Sequence, residues 1–186
     1  MKQNLNLTSS PIKSLLIKIA IPSMTGSLFQ TLFNIVDTFY AGKISPEALA
    51  ALAKAFPLYF LIIAAGIGVV AGCNSLIANA IGIKNSLLAS IYSYHSIIYA
   101  ILLSFFITFI GTFFADNLLK IMGSSYQSII LSKQYLDIIF YGTIIFLTLT
   151  ALNSILYAQG DTKTYRNVLF FGVIANIILN PIFIFG

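Results

Sequence analysis

Long apolar runs separated by short polar segments dominate the pattern of this chain. Five runs are mostly apolar over about 20 or more residues, the length that a helix needs to cross a bilayer. They cover residues 15–41, 48–81, 87–114, 130–157 and 165–185. The pattern therefore predicts an all-α, polytopic membrane protein with five transmembrane helices in one membrane domain.

The links between the runs carry the signals that end and begin helices. In the last link, Gly160 can end one helix and Asp161 or Thr162 can cap the next. The longest link, residues 115–129, is expected to include a surface helix. The first run is too long for a signal peptide and lacks a small-residue cleavage pattern, so we interpret it as a span.

Composition supports a membrane location. Hydrophobic residues make up 59% of the 186 residues and charged residues 8%, whereas soluble domains carry about 25% charged residues. In a soluble protein, a net charge of +5 would suggest nucleic acid as a binding partner. Here no basic stripe is interleaved with aromatic residues, and membrane proteins collect Lys and Arg in cytoplasmic loops. We therefore expect lipid, and no nucleic acid, as a partner.

The basic residues also predict an orientation. With a cytoplasmic N-terminus, six of them lie inside and four outside, which agrees with the positive-inside rule. The inner set is Lys2, Lys13, Lys18, Lys84, Lys163 and Arg166, and the outer set is Lys43, Lys54, Lys120 and Lys133.

Signatures of catalysis are missing from the sequence. With one cysteine, Cys73, and one histidine, His95, the chain cannot form an internal disulfide, and a Cys/His metal site is not expected. We interpret Cys73 as a small packing residue. No phosphate-binding Walker loop, paired intramembrane carboxylates or Ser–His–Asp set stands out. The sequence therefore favours transport or a scaffold role over an enzyme, with no cofactor.

Polar residues inside the spans are the informative ones, because they are costly in lipid. The first span carries five of them, spaced by three or four positions: Ser23, Ser27, Gln30, Asn34 and Asp37. At about 100° per residue they share one helical face. They either hydrogen-bond to neighbouring helices or line a hydrated cavity. Five polar residues ending in a carboxylate lead us to favour the cavity.

Two further spans show polar faces, and one shows a face of small residues. The fifth span places Asn176 and Asn180 one turn apart, before Pro181. The polar face of the fourth span consists of Tyr135, Gly142, Phe146, Thr150, Asn153 and Tyr157. In the second span, small residues recur every four positions at Ala64, Gly68 and Gly72, which predicts a close-packing seam.

These residues resemble a known family, the multidrug and toxic compound extrusion (MATE) transporters. The similarity lies in IAIP at 19–22, LFNIVDT at 32–38, AQGDTK at 158–163 and NIILNPIFIFG at 176–186. The segments follow the family's order and resemble its first helix, its link between helices four and five, and its fifth helix. The resemblance implies a fold of twelve helices in two six-helix lobes, of which the five spans correspond to most of the N-terminal lobe.

The resemblance also implies a function and a set of site residues. It implies a secondary antiporter of a bacterial inner membrane that exports cationic or amphiphilic compounds in exchange for protons or sodium. Asp37 matches the acid of the family's cation site, which implies coupling or sodium binding at Asp37, Asn176 and Asn180, with Asn153 as a further donor. Gln30, Asn34, Tyr135 and Phe146 are expected to line the cavity, with Phe146 near an amphiphilic substrate.

The chain departs from the family pattern in two ways. Asn180 stands where many prokaryotic members carry an aspartate, and the chain has five predicted spans of the twelve. We therefore expect a partial chain that needs further C-terminal helices, or a second lobe, for efflux. The alternatives are a non-transporting membrane scaffold or subunit, in which polar faces only join helices, and a lipid flippase of a related fold.

Overall fold

Five long helices make up nearly all of the part of the chain that the structure describes. The structure is a computed structural model, and it describes residues 11–122 and 126–186. The helices are α1 (Ile12–Ile44), α2 (Pro46–Gly82), α3 (Ser86–Ile121), α4 (Tyr126–Ala158) and α5 (Thr162–Phe185). All five are long and apolar enough to cross a membrane. The prediction of an all-α polytopic membrane protein is confirmed, and each predicted span lies within one of these helices.

Polar caps set the helix starts. The Ser45 side chain accepts a hydrogen bond from the Ala48 backbone N–H at 3.0 Å and begins α2, with Pro46 in the first turn. Asp161 caps α5 in the same way, through a 3.0 Å bond from the Thr164 N–H. Gly160 has a φ of 77°, a conformation that favours glycine, and it ends the turn before that cap. The predicted role of Gly160 is thus confirmed, and of the two predicted caps, Asp161 and Thr162, the structure uses Asp161.

The helices form two groups, and α2, α3 and α4 pack against one another in the larger one. Buried residues of these three helices build two apolar clusters. The first cluster contains Ala55, Leu58, Ile62, Ala115, Leu119, Leu136 and Phe140. The second contains Val69, Cys73, Ile77, Ala100, Leu147, Ala151 and Ala158. Cys73 is therefore a packing residue, as its sequence context predicted.

The smaller group is the pair α1 and α5, which run parallel. The rings of Phe29 and Phe170 lie 5.3 Å apart, and near the helix ends those of Tyr40 and Phe185 lie 6.4 Å apart. Closer to the start of the pair, buried Gly26 lies against Leu169. The pair joins the larger group through contacts of α1 with α2 and of α4 with α5. A space is left between the two groups.

Two sequence predictions about the elements were wrong. There is no separate surface helix in the described part of residues 115–129, because α3 continues to Ile121 and α4 begins at Tyr126. Residues 123–125 of that link lie outside the described part. The proposed seam on α2 is also wrong, since Cβ atoms added at Gly68 and Gly72 would meet nothing within 4 Å. The packed face of α2 is instead the one that carries Leu58, Ile62 and Val69.

Candidate functional site

Asp37 on α1 is the centre of a polar contact between the two parallel helices. The side-chain amides of Asn176 and Asn180 both donate hydrogen bonds to Asp37 Oδ1, at 2.7 and 3.0 Å. The two asparagines are four positions apart, so one face of α5 presents both amides to one carboxylate. Three of the residues predicted to form a site are therefore in direct contact.

A cavity of about 380 Å³ opens beside this contact, in the space between the two helix groups. Asp37, Asn180 and two phenols provide its polar surface. The full lining is Asp37, Tyr40, Ala41, Ile44, Ala48, Ala51, Leu52, Leu131, Tyr135, Asn180 and Ile184. These residues come from the C-terminal parts of α1 and α5 and the N-terminal parts of α2 and α4. The cavity therefore lies toward one end of the bundle.

The electrostatics of the cavity are dominated by one group. Among the lining residues, only Asp37 carries a carboxylate, and none is a Lys, Arg or His. The phenols of Tyr59 and Tyr135 lie within electrostatic range of Asp37. Asn176 Oδ1 is buried and has no hydrogen-bond partner among the described residues. The site therefore combines one carboxylate with phenol and amide groups.

Hydroxyl groups of the polar face of α1 bond within their own helix. Ser23 Oγ donates to the Ile19 carbonyl at 2.9 Å, and Ser27 Oγ donates to the Ser23 carbonyl at 3.2 Å. Such bonds satisfy a hydroxyl without a neighbouring helix. Of the five predicted stripe residues, Asp37 is the one for which the described structure shows a hydrogen bond to another helix. The structure gives these two serines no role in joining helices.

Apart from Tyr135, the other predicted site residues are absent from the lining of the Asp37 cavity. Asn34 lines a shallow groove on the outer side of α1, together with Thr31 and Thr38. Phe146 packs against α2, where its Cε1 lies 3.0 Å from the position that a Cβ on Gly66 would occupy. Gln30 is half-buried, and Asn153 is 7% exposed with its Oδ1 unpaired among the described residues. Tyr135 is the predicted cavity-lining residue that does line this cavity.

Sequence reasoning missed most of the cavity wall. Tyr40 follows Asp37 by three positions and therefore lies on the same face of α1, a signal that could have identified it. Ala48, Leu52 and Ile184 are apolar residues within apolar runs. No polar pattern marks them, because their role depends on which helices meet.

This arrangement suits reversible binding of a positive charge. A carboxylate surrounded by mostly apolar walls is costly to keep ionised without a partner. The two amides supply donors to the ionised form. A proton, a cation with oxygen ligands, or the charged head of an organic cation would each neutralise it. The fold and the site together define a polytopic helical membrane protein with a carboxylate beside a cavity between its helices.

Comparison with known proteins identifies the family. The family model described as MatE matches residues 22–182, and the chain belongs to this family. It is similar to the FAD transporter of Shewanella oneidensis, with 28% identity over 100% of this chain and 41% of that protein. It is also similar to the probable multidrug resistance protein NorM of Thermotoga maritima, with 30% identity over 94% of this chain and 38% of that protein.

A solved structure matches the same fold. A MOP superfamily transporter from Pyrococcus furiosus superimposes with a TM-score of 0.92 and 30% identity, covering 100% of this chain and 41% of that one. The chain thus spans about two-fifths of the length of these relatives. Relatives in this family are named as multidrug resistance proteins and as an FAD transporter, and this chain is a multi-pass membrane protein whose five helices match part of the solved fold.

Proposed function

We propose that this chain forms part of a secondary active multidrug efflux antiporter of a bacterial inner membrane. It exports cationic or amphiphilic compounds in exchange for protons or sodium. The observation that carries the proposal is the Asp37 carboxylate, which receives two amide hydrogen bonds beside a cavity of about 380 Å³ within the spans. Membership of a transporter family supports transport rather than catalysis.

Asp37 is the coupling residue in this proposal. A single carboxylate in mostly apolar surroundings is neutralised by one positive charge at a time, because a second would again leave uncompensated charge. The coupling ion and a cationic substrate therefore compete for the same group. Such competition produces exchange when the cavity opens to each side of the membrane in turn. Asn176 and Asn180 hold the carboxylate between occupants.

The charge of the cavity favours cationic substrates. One relative is named an FAD transporter and others are named multidrug resistance proteins. A flavin dinucleotide carries a negatively charged pyrophosphate, which the Asp37 carboxylate would repel. We therefore expect this site to take organic cations in preference to FAD.

The hydrogen bonds do not favour the scaffold alternative. If the polar face of α1 served only to join helices, its side chains would bond across to neighbouring helices. Ser23 and Ser27 instead bond to carbonyls of α1 itself. The Asp37 contact does cross helices, but it borders an open cavity rather than a closed interface.

Flux measurements with the full-length gene product in proteoliposomes test the proposal. Export of a cationic dye should depend on an imposed proton or sodium gradient and should exceed export of FAD. Asp37→Asn removes the charge and should reduce gradient-driven export at least about tenfold, since loss of a charged partner typically costs several kcal/mol. Asp116→Asn makes the same change in an ion pair with Lys133, away from the cavity lining, and should export normally. Unchanged export by Asp37→Asn would reject the proposal.

A further inference from the structure

A second recess, a groove of about 700 Å³, runs along α1 and shares no lining residue with the Asp37 cavity. Its walls come from the C-terminal half of α1 and from Leu49 at the start of α2. A Cβ placed on Gly42 would lie 3.8 Å from Leu49 Cδ2, so the two helices meet near one end of the groove. The lining residues Ile35 and Phe39 are exposed. The groove therefore opens toward the surroundings of the bundle.

The charge of this groove is opposite to that of the Asp37 cavity. Lys43 is the one charged residue among its lining residues, and it forms no ion pair with another described residue. Its Nζ lies 5.5 Å from the centroid of the Phe39 ring, a contact that holds a cation against the groove wall. The groove therefore presents one positive charge that the described part of the chain does not neutralise.

The groove extends from the membrane surface into the hydrocarbon region. The 33 residues of α1 span about 50 Å at 1.5 Å per residue, whereas the hydrocarbon core is about 30 Å thick. Lys43 in the last turn of α1 therefore lies at the level of the lipid headgroups. Ile35 and Thr31, which precede it by eight and twelve positions, lie about 12 and 18 Å deeper.

The deep wall of the groove is suited to hydrocarbon. Ile35 and Leu49 are apolar, and the hydroxyls of Thr31 and Thr38 donate to carbonyls of α1 itself, at 3.0 and 2.8 Å. Such bonds leave no hydroxyl donor that requires water. Asn34 is the remaining polar residue of this wall. The groove thus combines a cation at the headgroup level with a mostly satisfied, partly apolar wall below it.

We propose that the groove beside Lys43 binds a phospholipid with an anionic headgroup. The Lys43 ammonium contacts the phosphate, as lysines near membrane interfaces do. An acyl chain of the same lipid lies along α1 past Phe39 and Ile35. This lipid site does not depend on the proposed coupling role of Asp37.

Photochemical attachment of lipids to the full-length gene product in nanodiscs tests the proposal. Phosphatidylglycerol and phosphatidylcholine, each with a photoactivatable group in an acyl chain, are supplied in equal amounts. Mass spectrometry then measures attachment to residues 31–49. Phosphatidylglycerol should exceed phosphatidylcholine about fivefold, an effect of the order expected for one lysine near anionic headgroups. Lys43→Gln should bring the ratio to about one, and Lys43→Arg should keep the preference because it keeps the charge.

Lys120→Gln provides the matched control. It removes the same charge from an exposed residue near the end of α3, outside the groove lining, and should keep the preference. Equal attachment of the two lipids to the unaltered protein, or an unchanged preference in Lys43→Gln, would overturn the proposal. Attachment of neither lipid would do the same, since another part of the transporter would then cover the groove. Asp37→Asn should keep the lipid preference, so this proposal and the proposed antiport fail separately.

Discussion

Gly111 shows at the residue scale how tightly α3 and α4 pack. A Cβ placed there would overlap the ring of Phe140, which is buried in the first apolar cluster. Alanine is the better helix former by about 1 kcal/mol, but overpacking a core typically costs about 1–3 kcal/mol. Because the ring is enclosed and has little room to move, the steric cost should exceed the gain in helix propensity. We therefore expect Gly111→Ala to destabilise the protein by up to about 2 kcal/mol.

Unfolding in mixed micelles with increasing denaturant measures this effect. Gly68→Ala provides the matched control, because its added Cβ would meet nothing within 4 Å. That variant should be as stable as the unaltered protein or slightly more stable. Equal stabilities for the two alanine variants would contradict the close contact between Gly111 and Phe140.

Part of the candidate site could be predicted residue by residue. Asp37, Asn176 and Asn180 stand out in the sequence because polar side chains are costly in lipid, and the structure brings them into contact. The cavity wall could not be predicted in this way. Leu52 and Leu131 resemble any other apolar residue in a span, and only the packing of α1, α2, α4 and α5 makes them neighbours.

Individual hydrogen bonds join α3 and α4 at the scale of the elements. The Thr108 hydroxyl donates to the Phe140 carbonyl of α4 at 2.7 Å, while the Thr112 hydroxyl donates to carbonyls of its own helix. Bonds between membrane helices contribute about 0.6 kcal/mol on average and up to about 1.7 kcal/mol. Thr108→Val keeps the shape of the side chain and removes this bond, so it should destabilise the protein by an amount in that range.

The comparison of Thr108→Val with Thr112→Val isolates the bond between the helices. Both variants exchange a hydroxyl for a methyl group on α3, and only the first removes a contact with α4. Their unfolding free energies in the same micelles should differ by about 0.5–1.5 kcal/mol. A difference within experimental error would mean that the Thr108 bond does not stabilise the helix pair.

The sequence indicates where the helices lie better than which faces they pack. Hydrophobic length alone identified the five spans, because every crossing needs its own apolar run. The packed face of α2 was assigned wrongly, since small residues occur on more than one side of this helix. Ala64 and Gly68 are exposed, while Ala55 and Gly66 are buried in contact with other helices. Which side is covered depends on neighbours that a single helix does not specify.

The largest scale is the arrangement of the two helix groups. The parallel pair α1 and α5 meets the group of α2, α3 and α4 along a partly open boundary, and the cavity beside Asp37 lies on it. One wall of the cavity therefore belongs to each group. A displacement of the pair relative to the larger group would change the size of the cavity and the surroundings of the carboxylate. The location of the charge at this boundary is what the proposed exchange mechanism requires.

The orientation of the whole molecule in the membrane provides the last prediction. Successive helices cross in opposite directions, so the link after α2 and the first turn of α5 lie on the same side as the N-terminus. Lys84 and Lys163 occupy these places, and both are exposed. Lys120, near the end of α3, is exposed on the opposite side. The excess of basic residues on the first side predicts that this side is cytoplasmic.

Single cysteines at positions 84, 120 and 163, in a Cys73→Ala background, test the orientation in intact cells with a thiol reagent that does not cross the membrane. We expect labelling at position 120 and none at 84 or 163 until the cells are opened. Labelling of 84 and 163 from outside would reverse the topology and would place the Asp37 end of the bundle at the cytoplasmic face.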